Sequence, residues 1–257
     1  MTECLDIAVL TLFPGMFDGL VAESMWKRAL TQERLKLTFV NFRDFATDKH
    51  KTVDDSPFGG GAGMLLKPDP LFRAIESITD DVAVQTRVIL LSPQGRPFTQ
   101  RVAEELVTSD QRLVLVCGHY EGFDERIRRH LATDEVSLGD FVLTGGEIAA
   151  MAMIDTMIRL VPGVLGNGAS AHDDSFASGL LEYPQYTRPA DYQGWRVPPV
   201  LVSGNHKEVA LWRRRQSLWR TWRRRPDLLS SADLTQAERD LVSSWQNGQL
   251  PDAEDDV

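Results

Sequence analysis

The chain has 257 residues, 42% of them hydrophobic and 25% charged, with a formal net charge of −9 at pH 7. That is an ordinary globular composition, long enough for one large or two modest domains with a packed core. No apolar run reaches the roughly 18 residues needed to span a bilayer, and Glu3, Asp6, Pro14 and Asp18 spoil any reading of the N-terminus as a signal peptide. The two cysteines, Cys4 and Cys117, fall in strand-like apolar runs. They are expected to be buried small hydrophobes, which excludes a disulfide framework or a cysteine metal site.

In chain order, Leu5 to Phe13 reads as a strand, Phe17 to Leu30 as a helix and Leu35 to Asn41 as a second strand. Residues 43–63 then run without periodicity and end in Gly59-Gly-Gly-Ala-Gly63, a length that suggests a functional loop. A helix is expected over about Asp69–Ile78, followed by strand Arg87–Leu91, helix Phe98–Val107, strand Leu113–Cys117 and helix Asp124–Leu131. A short strand near Glu135–Leu138 precedes a helix from Gly146 to Leu160. Strands alternating with helices predict an α/β domain with a largely parallel sheet. In such sheets ligands sit beyond the carboxyl ends of the strands. Those ends carry Ser92-Pro-Gln-Gly-Arg96, Gly118-His-Tyr-Glu-Gly122 and Leu138-Gly-Asp-Phe-Val-Leu143, and three glycine-bearing loops at three strand ends point to one ligand site.

The segment Ile148–Leu160 is apolar nearly all round, with Asp155, Thr156 and Arg159 as its polar residues. An all-apolar helix is buried, and a buried arginine is costly unless paired. Arg159 therefore either pairs with Asp155 one turn away or stands ready for a substrate. Past Gly163 the composition turns to Gly, Ala, Ser and Asp without period, which reads as a mobile linker over 163–180. Tyr183 to Pro199 reads as an extended docked segment, rich in proline and aromatics. From Lys207 to Trp222 an amphipathic helix is expected, with Leu211, Trp212, Leu218, Trp219 and Trp222 on one face, and a second helix over about Thr235–Gln246 should pack against it. Seven arginines (213, 214, 215, 220, 223, 224 and 225) lie between Trp212 and Arg225 without an acid, whereas the acids Asp252, Glu254, Asp255 and Asp256 crowd the end of the chain. Local charge is the better guide to partners than the net value, so the arginine helix is read as a phosphate contact.

The glycine loop is neither a P-loop nor a dinucleotide fingerprint, since no Gly-Lys-Ser/Thr follows and no strand feeds it. There is no Gly-x-Ser-x-Gly, His-Glu-x-x-His or Cys-x-x-Cys, and the five histidines (50, 119, 130, 172, 206) show no ligand spacing.

Taken together, a set of motifs resembles the bacterial tRNA (guanine-N(1)-)-methyltransferases of the SPOUT class. They include Leu12-Phe-Pro-Gly-Met-Phe17, Thr52-Val-Asp-Asp55 with Gly59-Gly-Gly-Ala-Gly-Met64, Leu91-Ser-Pro-Gln-Gly95 and Val116-Cys-Gly-His-Tyr-Glu-Gly122. They continue through Leu138-Gly-Asp-Phe-Val-Leu143, Arg159-Leu-Val-Pro-Gly-Val-Leu-Gly166, Asp174-Ser-Phe176 and Ser203-Gly-Asn-His206. The similarity covers the chain except its acidic end. It implies an α/β fold with a knotted, parallel-sheet SPOUT cofactor domain over 1–162, a flexible linker over 163–180, a small all-α tRNA-binding domain over 181–250 and an acidic tail over 251–257.

It also implies a cytoplasmic homodimer with the active site at the subunit interface and no membrane. S-Adenosylmethionine would donate a methyl group to nitrogen 1 of the guanosine immediately 3′ of the anticodon. The implied cofactor residues are Leu91, Ser92, Pro93, Gly118, Tyr120, Glu121, Gly122, Leu138, Gly139, Asp140, Phe141, Val142, Leu143, Gly145 and Gly146. Asp174, Arg159 and Glu121 fall on catalytic or functional positions. Asp55, Gly59, Ser170, Asn205, His206, Arg213, Arg214 and Arg220 would meet the RNA. Mg2+ is a candidate second cofactor, with Glu121 available to take part. His119 stands where related chains often carry arginine, and Phe141 where many carry tyrosine. The alternatives on the same fold are a non-catalytic RNA-binding module and a ribose-directed RNA methyltransferase, neither of which needs both Arg159 and Asp174.

Overall fold

The computed structural model describes residues 3–79, 85–165 and 174–249. The chain divides into two compact units, Met1–Gly168 and Ala169–Val257.

The first unit is built on five strands: β1 (Leu5–Leu10), β2 (Leu35–Val40), β5 (Thr86–Pro97), β6 (Arg112–Cys117) and β7 (Asp134–Ser137). They form one sheet in the order β2-β1-β6-β5-β7, and every pairing is parallel. A parallel sheet is covered on both faces, and period-2 side-chain alternation divides each strand between two cores. Leu5, Ile7 and Val9 of β1, with Leu113, Leu115 and Cys117 of β6, face one core. Ala8, Leu10, Val114 and Val116 face the other. The first core is completed by helices α2 (Ser24–Thr31), α4 (Gln100–Thr108) and α6 (Glu147–Ile158). The second is completed by α3 (Pro68–Thr79) and α5 (Glu125–His130). Caps fix where helices begin: Thr99 accepts from the Val102 amide ahead of α4, and Asp124 from the Arg126 amide ahead of α5.

Several expectations are corrected. The helix expected over 17–30 is two pieces, α1 (Asp18–Val21) and α2, broken at Ser24, whose φ of 48° lies in the left-handed region. Cys4 is exposed, because β1 begins only at Leu5. The long loop contains a two-residue hairpin, β3 (Asp54–Asp55) against β4 (Leu65–Leu66). β5 runs on to Pro97, where a turn was expected after Leu91. Both Leu91 and Arg96 pair with Val136, so the chain leaves the sheet at Ser92 and returns at Arg96. Gly95 is what allows the return: a Cβ there would lie 2.3 Å from the Val136 amide nitrogen.

The helix α6 is not buried all round. Asp155 and Arg159 are exposed, and with Ile148 they form an i, i+7, i+11 stripe facing outward. Two of that stripe's positions, Ile148 and the half-buried Ala152, are apolar, which is why the sequence hides it. Asp155 accepts a 3.0 Å bond from the Trp26 indole.

The second unit contains α7 (Pro199–Val202), α8 (His206–Arg224) and α9 (Gln236–Gln246) around a small core of Leu180, Leu218, Trp219, Ala232, Leu234, Val242 and Trp245. Trp219 stacks on Trp222 with centroids 5.0 Å apart and meets Trp245 edge-on at 5.1 Å. Leu211, expected on this stripe, is 57% exposed because the core begins only at Leu218, about two turns further along α8. The expectation of an all-helical unit is also corrected: β8 (Asp191–Tyr192) and β9 (Trp195–Arg196) form a hairpin over Gln193-Gly194, both at positive φ. Of the linker expected over 163–180, residues 166–173 lie outside the described residues, while Asp174–Gly179 folds as a turn of the second unit. Gly179 packs there so closely that a Cβ would sit 3.1 Å from Ala232 Cα.

Candidate functional site

β6, β5 and β7 are neighbours in the sheet, with Leu91 level with Cys117 and Val136, so the glycine-bearing segments that follow Cys117 and Ser137 and the one that leaves the sheet within β5 after Leu91 converge. Between them lies a cleft of about 420 Å³, within the range of small-molecule sites. Thirteen of the residues implied by sequence line it: Leu91, Ser92, Pro93, Gly118, Tyr120, Glu121, Gly122, Leu138, Phe141, Val142, Leu143, Gly145 and Gly146. Gly139 and Asp140 do not. Gly139 sits behind the wall instead, exchanging bonds of 3.1 and 3.2 Å with the Ser137 hydroxyl and accepting from the Phe141 amide at 2.9 Å. Leu65, Gln94, His119, Phe123, Arg128, Val136, Ser137, Thr144 and Ala149 also line the cleft and were not singled out as cofactor residues. Most of these flank the named loops, which was the available signal; Leu65, Arg128 and Ala149 come from β4, α5 and α6 and had none.

Backbone geometry shapes the cleft. Tyr120 and Gly122 take positive φ of 58° and 113°, turning the chain sharply after β6. Gly146 is a close approach: a Cβ would lie 2.6 Å from Cys117 Cα, and its amide donates to the Gly118 carbonyl at 2.8 Å. The β3–β4 hairpin docks on the same loop through Glu121 N to Met64 O and Leu66 N to Gly122 O, at 3.0 and 2.9 Å. A Cβ on Gly63 would fall 2.3 Å from Glu121 Cγ, so the glycine loop supports the Glu121 side chain directly. Asp55 and Gly59 lie exposed on this hairpin, and Gly59 has φ of 86°.

Behind the cleft wall sits a buried polar group that the sequence did not reveal. Glu147, 1% exposed, accepts from the Thr11 hydroxyl at 2.6 Å and from His119 Nε2 at 2.8 and 2.9 Å. Burial alone pushes this carboxyl up and is the largest influence, yet the His119 and Thr11 bonds outweigh it and hold Glu147 below the ordinary range. The nearby Cys117 thiol is driven well up by burial and by the Glu147 charge, which leaves it inert.

Arg159 caps α6 in the first unit; Asp174 opens the turn that begins the described part of the second. Ser170 falls outside the described residues. Asn205 caps α8, accepting from the Glu208 amide at 3.4 Å, and His206 beside it is exposed. The arginines of α8 divide. Arg213 lies over the Tyr183 ring at 4.8 Å. Arg214 is committed to Glu238, at 2.6 and 3.2 Å, and to the Asp233 carbonyl. Arg214 holds the Glu238 carboxyl down at about 2. Arg220 is desolvated and near Arg224, and both effects lower its pKa. The arginine run therefore does meet acids, but from outside its own segment. Among the described residues, no three His, Cys, Asp or Glu side chains gather as a metal would require, and no helix is long and apolar enough to cross a membrane.

Residues 5–231 match the family model described as tRNA (Guanine-1)-methyltransferase TrmD. The tRNA (guanine-N(1)-)-methyltransferase of Geobacillus kaustophilus is 56% identical over 240 residues, 93% of this chain and 98% of that protein. Its namesakes in a Dehalococcoides mccartyi strain and in Anoxybacillus flavithermus are 58% and 54% identical, over 93% and 95% of this chain and 96% and 100% of theirs.

Proposed function

Because the chain belongs to the tRNA (guanine-1)-methyltransferase family, we propose that it methylates nitrogen 1 of the guanosine immediately 3′ of the anticodon in tRNA, using S-adenosylmethionine, in the cytoplasm. The observation that carries this reading is the convergence of three glycine-bearing segments of adjacent strands, two after β6 and β7 and one bulging from β5, on one cleft of suitable size. The donor set fits the cofactor: backbone groups of Leu91–Gln94 and Gly118–Gly122, apolar walls at Leu138, Leu143 and Ala149, and room that only glycine leaves at 145 and 146. When bound, S-adenosylmethionine supplies an electrophilic methyl on a sulfonium. The family further implies a trefoil knot in this first unit.

Guanine nitrogen 1 carries a proton and must lose it before it can attack a methyl group. Asp174 accepts that proton as general base. A carboxylate is a stronger base when water is excluded from it, which the bound RNA is expected to do here. Arg159 stabilises the charge that grows on the exocyclic oxygen of guanine with charge-assisted hydrogen bonds. Glu121, braced on Gly63, lies at the mouth of the cleft and positions the base edge.

The chain acts as a homodimer: Phe13, Met16 and Ile148, each 48% exposed, rim a second hollow beside the cleft that a second copy would cover. Arg213 and Arg220 of α8, with Asn205 and His206 at its start, meet the RNA backbone, while Asp55 and Gly59 of the β3–β4 hairpin close on the guanosine.

The test is nucleoside mass spectrometry of unmodified tRNA incubated with the protein and S-adenosylmethionine. A new 1-methylguanosine peak is expected. A 2′-O-methylated nucleoside, or tRNA binding with no new nucleoside, would overturn the assignment.

A further inference from the structure

Glu147 is only 1% exposed and does not line the cleft; it backs the smaller hollow rimmed by Phe13, Met16 and Ile148, and its carboxylate contacts the loops that wall the cleft. It is the first residue of α6, directly after the Gly145-Gly146 turn. Its carboxylate takes one bond from Thr11, just past the end of β1, and bonds at both oxygens from His119, which lies in the loop after β6. Thr11 is itself held, because its oxygen accepts from the Phe13 amide at 2.9 Å. His119 and Gly145 form an antiparallel bridge, and a Cβ at Gly145 would strike His119 Cε1 at 2.3 Å and Glu147 Oε2 at 2.6 Å. The turn has thus been emptied of side chain so that imidazole and carboxylate can meet. His119, Tyr120, Thr144 and Gly145 all line the cleft.

We propose that Glu147 is a positioning residue of the cofactor cleft, acting through His119 and Thr11 to lock the Gly118–Gly122 loop to the Thr144–Gly146 turn. A buried carboxylate is costly to leave unpaired, and its location makes that cost report on the spacing of two cleft walls. At the N-terminus of a twelve-residue helix the charge is further favoured by the helix dipole. His119 Nε2 must carry a proton to donate to both oxygens, and a guanidinium at position 119 would keep the charge-assisted contact.

The inference rests on the cleft being the S-adenosylmethionine site, and the experiment separates the two. S-Adenosylmethionine is titrated calorimetrically into the full-length protein without tRNA, for wild type, His119→Leu, His119→Arg and Glu147→Gln, with melting temperature and the KM for tRNA measured alongside. His119→Leu keeps the Thr11 bond to Glu147; it should lower the melting temperature yet fold, and should weaken cofactor binding by about tenfold with little change in tRNA KM. His119→Arg should restore binding to within about twofold. Glu147→Gln should weaken binding at least as much as His119→Leu; if it fails to fold, the His119 pair decides alone. Wild-type affinity in His119→Leu, or equal losses in the Leu and Arg variants, overturns the positioning role while leaving the cleft assignment intact. Absence of binding to the wild type removes both.

Discussion

The two units do their proposed work with different materials. In the first, the cleft is shaped by backbone: positive φ at Tyr120 and Gly122, a strand that leaves and rejoins the sheet at Gly95, and glycine contacts at 63, 145 and 146. Its ion pairs, such as Arg87 with Asp134 and Arg96 with Glu105, brace the frame around the loops, and two arginine bonds hold the Glu105 carboxyl at about 2. In the second unit the chemistry is carried by side chains on one long helix over a small tryptophan core. A site made of backbone should fail abruptly when a methyl group is added. A surface made of side-chain charge should fail by degrees, and with salt.

The largest effect is expected at the point where the chemistry is assigned to a single carboxylate. Asp174→Asn should lower methyl transfer by about 10² to 10⁴-fold in single-turnover assays, with cofactor affinity unchanged. Near wild-type turnover would remove Asp174 from the base role. Gly146→Ala comes next. Its new methyl would fall 2.6 Å from Cys117 Cα, so it should cost about 1 to 3 kcal/mol of stability and abolish measurable cofactor binding in a calorimetric titration. A Gly146→Ala protein that binds normally would show that the walls adapt, and the contrast between the units would be lost.

Smaller, graded effects are expected on α8. Arg213→Gln and Arg220→Gln should each weaken tRNA binding and reduce its log–log salt slope by about 1. Arg214→Gln should behave differently, because Arg214 ties α8 to α9 through Glu238. It should lower the stability of the second unit by about 1 to 3 kcal/mol, allowing for solvent screening.

The same pair predicts a pH dependence. Arg214 depresses the folded pKa of Glu238 from 4.5 to about 2, so its stabilisation is fully present above about pH 4.5. That stabilisation is lost as pH falls toward 2. Acid denaturation followed by tryptophan fluorescence should show this loss in the wild type and a shallower dependence in Arg214→Gln.

Much of this was legible in the sequence because it rests on local pattern. The strands and helices of the first unit follow from period-2 and period-3.6 hydrophobicity, and the three loops announce themselves by glycine at strand ends. What was not legible depends on distant partners. Ser92-Pro-Gln-Gly95 reads as an ordinary turn, and only the approach of Gly95 to Val136 shows that β5 resumes beyond it. The arginine run of α8 reads as uncompensated because Glu238 is 24 residues from Arg214. Arg159 reads as buried because Ile148 and Ala152 share its exposed stripe. Glu147 is separated from Thr11 by 136 residues, and no local rule connects them.

A crystal structure of the chain with S-adenosylhomocysteine, the product left after methyl transfer, tests the cleft most directly. The ligand is expected between the Leu91–Gln94, Gly118–Gly122 and Leu138–Leu143 loops, contacting backbone amides and carbonyls. Density for it anywhere else in the first unit, or held by the arginines of α8, would contradict the account.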